Sequence, residues 1–108
     1  MAKKRNLPLR ISSPVWGYLT ALENQGVRIT QAFVFGSWAK GSAGTWSDID
    51  LAVVSPQFNS WSAKNNLLAK AMRGDFAMVE AHGFHPKKFN PSKNPVVNEI
   101  TAHGIKIM

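Results

Sequence analysis

The chain contains no cysteine. Disulfides and thiolate metal sites are thereby excluded together, so any metal must be held by oxygen or imidazole. Long apolar runs are missing too: no segment approaches the roughly 20 apolar residues that span a bilayer, and the opening MAKKRNLPLR lacks the apolar core of a signal peptide. A cytoplasmic protein is the expectation. Acids are scarce, with six Asp and Glu against 13 Lys and Arg, a formal charge of +7. That balance concentrates anions near the surface without choosing among nucleotides, nucleic acid and an acidic partner. Internal repeats and low-complexity segments are also lacking.

What is present suffices for one modest core: 108 residues, 44% of them apolar. The expected organisation is a flexible basic tail over residues 1–9 and one domain over residues 10–108. With no second substrate-binding domain expected, part of the substrate recognition has to come from elsewhere.

Ser13-Pro14 followed by Val15, Leu19 and Leu22 reads as an N-cap, a proline at the first helical position and an apolar stripe closed by Gly26. Gln31 to Phe35 is a short apolar run ending at Gly36-Ser37, the pattern of a buried strand entering a turn. One helical turn is expected over Trp38-Ala39-Lys40, then a strand from Asp48 to Val54 stopped by Ser55-Pro56. A helix from Trp61 to Met72 places residues 61, 67, 68, 71 and 72 on its apolar side, with Lys64 and Lys70 outward, and stops at Gly74. A third strand is expected over Phe76 to Glu80, an irregular stretch over Gly83 to Pro95, a last helix over Pro95 to Ala102 and a closing strand over Ile105 to Ile107. This order predicts a small α/β (α+β) sandwich with helices packed on a mixed sheet.

The chemistry concentrates between Gly36 and Leu51. Asp48 and Asp50 lie two apart on an expected strand, so both carboxylates leave the same face. Like charges held that close repel unless a cation lies between them. Hard oxygen ligands on a rigid strand suit Mg²⁺, which completes its octahedron with water and substrate phosphates. Gly36-Ser37 stands where a strand ends and a short helix begins, so backbone N–H groups and the Ser37 hydroxyl can approach phosphate oxygens with no Cβ in the way at Gly36. The ten-residue spacing from Ser37 to Ser47 is long enough to return the chain antiparallel and set Asp48 beside that turn.

Gly36, Ser37, Ala39, Gly41, Ser47, Asp48, Asp50 and Leu51 together make a pattern of Gly-Ser-x-Ala-x-Gly, a spacer, then Ser-Asp-x-Asp-Leu. It resembles the signature of the nucleotidyltransferase superfamily that includes DNA polymerase beta, and most of all its minimal nucleotidyltransferases, often encoded beside a HEPN-domain protein. Relatives of this type carry a later stretch resembling Ile-Glu-Pro-His, then a proline-containing loop, a helix and a Gly-Ile strand. Here Val79-Glu80-Ala81-His82, His85-Pro86, Phe89, Pro95 to Ile100 and Gly104-Ile105 follow that order, with Ala81 where the relatives have proline. The resemblance covers residues 10–108.

The resemblance implies a two-metal Mg²⁺ site held by Asp48, Asp50 and a third carboxylate. Glu80 follows the motif, while Asp75, at the start of the same expected strand, competes with it. It also implies transfer of a nucleoside monophosphate from a nucleoside triphosphate, ATP above others, to an acceptor hydroxyl. Gly36, Ser37, Lys40 and Ser47 would lie about the phosphates, with Lys40 adding positive charge. The implied partner is a HEPN-type protein, as in toxin–antitoxin pairs. Two rival functions remain beside this one: a catalytically inactive module that neutralises or scaffolds a partner, and a basic nucleic-acid-binding protein touching RNA through Lys87, Lys88 and Lys93. Oligomerisation is left open.

Other residues have blander readings. Trp38 and Trp46 flank the motif and could stack on a base, but large aromatics more often cover a core edge or an interface. His82, His85 and His103 show no metal-binding spacing and are read as surface or packing histidines.

Overall fold

The computed structural model describes residues 7–41, 43–44 and 47–108. The greater part of the expected basic tail, and Trp46, lie outside the described residues. Among the described residues, four α-helices and four strands alternate: α1 (Leu9–Asn24), β1 (Gln31–Phe35), α2 (Ser37–Lys40), β2 (Ile49–Val54), α3 (Trp61–Ala71), β3 (Val79–Phe84), α4 (Pro95–His103) and β4 (Ile105–Lys106). The sheet order is β3-β2-β1-β4. β1 runs antiparallel to β2 and to β4, while β2 and β3 are parallel. The expected mixed sheet with packed helices is what forms.

Alternation along the strands divides the sheet into two faces. Ala32, Val34, Ile49, Leu51, Val53 and Val79 turn toward α1 and α3, meeting Ile11, Val15, Tyr18, Leu19, Leu22 and Ala71 in the main core. Each large aliphatic side chain buried there contributes about 1.5–3 kcal/mol. The opposite face carries a smaller cluster of Phe33, Ala52 and Ile100, edged by Phe35, Phe84 and Phe89. Here α4 covers only part of the sheet, and the uncovered part is where Asp50 emerges. All other residues of β2 are buried, so Asp50 is its single half-buried position.

Three expectations need correction. First, α1 begins at Leu9 and contains Pro14, instead of starting from a Ser13 cap. The apolar stripe runs one turn further back, to Ile11, which is 2% exposed. Arg10 stacks on the Trp38 ring at 5.5 Å. Burying Ile11, worth about 1.5–3 kcal/mol, together with a cation–π contact of about 0.5–2 kcal/mol, offsets the roughly 3 kcal/mol that an interior proline costs. The far end is as expected. Gly26 takes φ +86°, and Gly26 N–H and Val27 N–H donate to the Glu23 and Leu22 carbonyls in a Schellman closure.

Second, β3 spans Val79–Phe84, not Phe76 to Glu80, and Gly74–Phe76 is a 3₁₀ turn. Phe76 leaves the strand to pack edge-on against Tyr18, with ring centroids 6.3 Å apart. Gly83, expected to open the irregular stretch, lies inside the strand, where α3 crosses closely: a Cβ on it would stand 2.8 Å from Lys64 Cγ. Third, the faces of α3 differ from those expected: Trp61 is 76% exposed and Met72, just past the helix end, is exposed too, while the stem of Lys64, expected outward, lies against β3 at Gly83. α3 is capped by Ser60, whose hydroxyl accepts from Ala63 N–H, and α4 by Asn94, whose carbonyl accepts from Val96 and Val97 N–H.

Candidate functional site

The chain leaves β1 at Gly36 with φ +72° and ψ −145°, a conformation that glycine reaches far more readily than other residues. A second constraint acts at the same atom, since a Cβ on Gly36 would collide with Oδ2 of Asp50. The turn and the carboxylate are thus fitted to each other. Asp50 pairs in register with Phe35 on β1 and with Glu80 on β3, so three strands fix its position.

The approach to β2 is also pinned. The Trp38 indole N–H donates to the Ser47 carbonyl at 3.2 Å, and Gly44 N–H donates to the Ser47 hydroxyl at 2.9 Å. Ile49 N–H donates to the Met78 carbonyl at 2.7 Å, tying the starts of β2 and β3 together. Trp38 packs against the main core, so it serves as the core-edge aromatic of the two readings given to it.

Glu80 and His82 alternate on β3 and share the face of Asp50. His82 Nε2 lies 3.3 Å from Asp50 Oδ1 and 3.7 Å from Glu80 Oε1. The edge of the Phe35 ring confines the imidazole, with centroids 5.1 Å apart at 65°. One ligand atom from each of Asp50, Glu80 and His82 falls within 4.8 Å of the others. Donor atoms sharing one cation at about 2.1 Å stand roughly 3.0 Å apart in cis octahedral positions and about 3.4 Å apart in a tetrahedron. At 3.3 and 3.7 Å the imidazole stands near such separations from both carboxylates, so the trio could close on a divalent cation with small side-chain movements.

Not every expected residue joins the cluster. Asp48 lies one residue before β2, exposed, and outside this trio. Asp75 sits exposed in the 3₁₀ turn ahead of β3, away from the trio. Ser37 is the first residue of α2 and is half-buried. Lys40 reaches across to α4, where its Nζ is 2.7 Å from Glu99 Oε1. The hydrogen bond from Lys40 holds the Glu99 carboxyl below the ordinary glutamate range, against the opposing effect of desolvation and with the charges of Lys40 and His103 adding to it. His82, read from the sequence as a surface or packing histidine, joins Asp50 and Glu80 in the cluster. The two-residue alternation that paired Asp48 with Asp50 pairs Glu80 with His82 as well.

A family model for nucleotidyltransferase domains matches residues 18–104. No curated protein matches the chain. Among solved structures, a mutant form of the toxin–antitoxin pair MntA–HpeT aligns with a TM-score of 0.55 at 15% identity, over 82% of this chain and 67% of its own. A candidate nucleotidyltransferase from Sulfolobus solfataricus aligns with a TM-score of 0.55 at 16% identity, over 94% and 87%. At these identities both are likenesses of fold.

Proposed function

This chain belongs to the nucleotidyltransferase domain family, and from that premise we propose that it transfers a nucleoside monophosphate from a nucleoside triphosphate, ATP first among them, to an acceptor hydroxyl. The observation that carries the proposal is the fit of the Asp50 carboxylate against Gly36, with Glu80 in register beside it on β3. A phosphate chain laid on the Gly36-Ser37 turn comes within reach of those carboxylates.

In the reaction the acceptor oxygen forms a bond to the α-phosphorus, the bond from that phosphorus to the bridging oxygen breaks, and pyrophosphate leaves. The hydroxyl proton passes to a carboxylate, for which Glu80 is our choice. Mg²⁺ ions held by Asp48, Asp50 and Glu80 would neutralise the triphosphate and lower the pKa of the acceptor hydroxyl. The Gly36 and Ser37 N–H groups, with Ser37 and Ser47 nearby, would orient the phosphates. Lys40 adds charge only once it exchanges Glu99 for phosphate.

We assign the acceptor to a separate protein of HEPN type. The likeness to MntA supports this, since that protein is solved with HpeT as a toxin–antitoxin pair. A rival reading, an inactive partner-binding module, draws on two observations: Lys40 is engaged by Glu99, and Asp48 lies outside the donor trio.

The discriminating experiment is Mg²⁺-dependent pyrophosphate release from ATP in the presence of the partner. Release is expected, and Asp50→Asn should lower it by at least about 10²-fold, as losing a group that stabilises transition-state charge does. Absence of release would favour the inactive module, and release unchanged in Asp48→Asn/Asp50→Asn would show that these carboxylates do not carry the reaction.

A further inference from the structure

We propose that His82 is itself a metal ligand, and that Asp50, Glu80 and His82 form a mixed nitrogen–oxygen site selecting a transition-metal divalent cation of the Mn²⁺, Co²⁺ or Zn²⁺ class over Mg²⁺. The inference rests on the reading of Asp50 and Glu80 as metal ligands.

Geometry supplies the first argument. The imidazole Nε2 stands 3.3 Å from one carboxylate oxygen and 3.7 Å from the other. The first separation is long for a hydrogen bond to a charged acceptor, which is ordinarily about 2.7–2.9 Å. As a long hydrogen bond it already holds the two side chains together, at a separation within the roughly 3.0–3.4 Å between donors that share one cation, and the second separation lies a little beyond that range.

Rigidity supplies the second. The three residues stand on two strands whose register is fixed over six consecutive pairs, from Ile49↔Val79 to Val54↔Phe84. Asp50 cannot retreat past Gly36 without breaking that fit, and Phe35 limits the swing of the imidazole. Asp50 and His82 are therefore arranged before any ion arrives, which reduces the ordering cost of binding, while the exposed Glu80 side chain completes the set from β3.

Donor chemistry supplies the third. Mg²⁺ favours oxygen and keeps several waters, whereas imidazole adds affinity for first-row transition ions, rising from Mn²⁺ toward Cu²⁺. Two carboxylates and one imidazole leave coordination positions open to substrate oxygens. The division of labour is then a transition ion at Asp50–Glu80–His82 and Mg²⁺ entering with the triphosphate at Asp48–Asp50, with Asp50 shared.

The test uses the full chain and Co²⁺ as its probe, alone and against Mg²⁺. Co²⁺ should bind at least about 10-fold more tightly than Mg²⁺, and the wild-type proton NMR spectrum should gain a paramagnetically shifted imidazole N–H or C–H resonance, a readout that needs no variant. His82→Gln should remove that resonance and weaken Co²⁺ by about 10–100-fold, with far-ultraviolet circular dichroism confirming the fold. Co²⁺ binding that depends on Asp50 but shows no shifted imidazole and no dependence on His82 would overturn the inference while leaving the carboxylate site intact. Co²⁺ binding unaffected by Asp50→Asn would overturn both.

Discussion

At the scale of single residues, Gly36 carries two demands at once. Its φ of +72° disfavours any side chain, and the space a Cβ would take belongs to the Asp50 carboxylate. Gly36→Ala should therefore cost about 1–3 kcal/mol in chemical denaturation, the range for a residue forced into a sparsely populated conformation. It should also lower pyrophosphate release more than stability explains, because relief of the collision moves Asp50. Tyr18 gives a second prediction. Its buried hydroxyl donates to the Leu68 carbonyl at 2.8 Å, and burial pushes its pKa from 10.0 up to about 12. Below pH 10 the phenol is neutral in both folded and unfolded chains. Between pH 10 and about 12 only the unfolded chain gives up the proton, so stability falls as pH rises, by at most about 1.4 kcal/mol per pH unit. Tyr18→Phe should lose about 1 kcal/mol at neutral pH and show a flatter alkaline decline, read by denaturant melts at several pH values. Gly36, Asp50 and Glu80, which the sequence motif set together, stand together in the structure, whereas Asp48 lies outside the trio. The nearness of His82 was not legible, because a lone histidine has many uses and only its strand partner, Glu80, brings it to Asp50.

At the scale of elements, the sequence located the four α-helices and four strands of the described residues and misjudged the bounds of some. β1 is as expected because Gln31 to Phe35 is flanked by turn-formers and buried at its centre. The start of α1 was hidden by Pro14, whose local preference is overruled by the burial of Ile11. The start of β3 was hidden because Phe76 and Met78 look like strand residues, and only the parallel pairing with β2, a long-range contact, decides that Val79 opens the strand. Tertiary pairing is not written in local pattern. The contact between α2 and α4 is of the same kind. Lys40 and Glu99 are 2.7 Å apart although far separated in sequence. Because the folded pKa of Glu99 is lowered, the stabilisation from this pair is present above the ordinary glutamate pKa and is lost as pH falls through the lowered value. The Glu99 carboxyl should thus titrate below the ordinary range when followed by NMR, and Lys40→Ala should return it upward. An unchanged midpoint in Lys40→Ala would mean that the pair does not persist in solution.

At the scale of the whole molecule, the two faces of the sheet do different work. One is sealed by α1 and α3 over the main core, and the other is half-covered by α4, leaving open ground around Asp50. Among the described residues, no helix is long and apolar enough to cross a membrane. The charge of +7 concentrates anions near the surface, and the family match over residues 18–104 gives nucleotidyl transfer as the reaction class. What the fold leaves unspecified is the acceptor, which is why the partner belongs in the decisive assay.

That assay follows two labels from ATP, one in the α-phosphate and one in the γ-phosphate, after incubation of the chain with its partner and divalent metal. The account predicts that the α label becomes covalently attached to the acceptor, that the γ label leaves in pyrophosphate, and that both events fail in Asp50→Asn. Transfer of the γ label to the acceptor, its release as inorganic phosphate, or α transfer that persists in Asp50→Asn would contradict it.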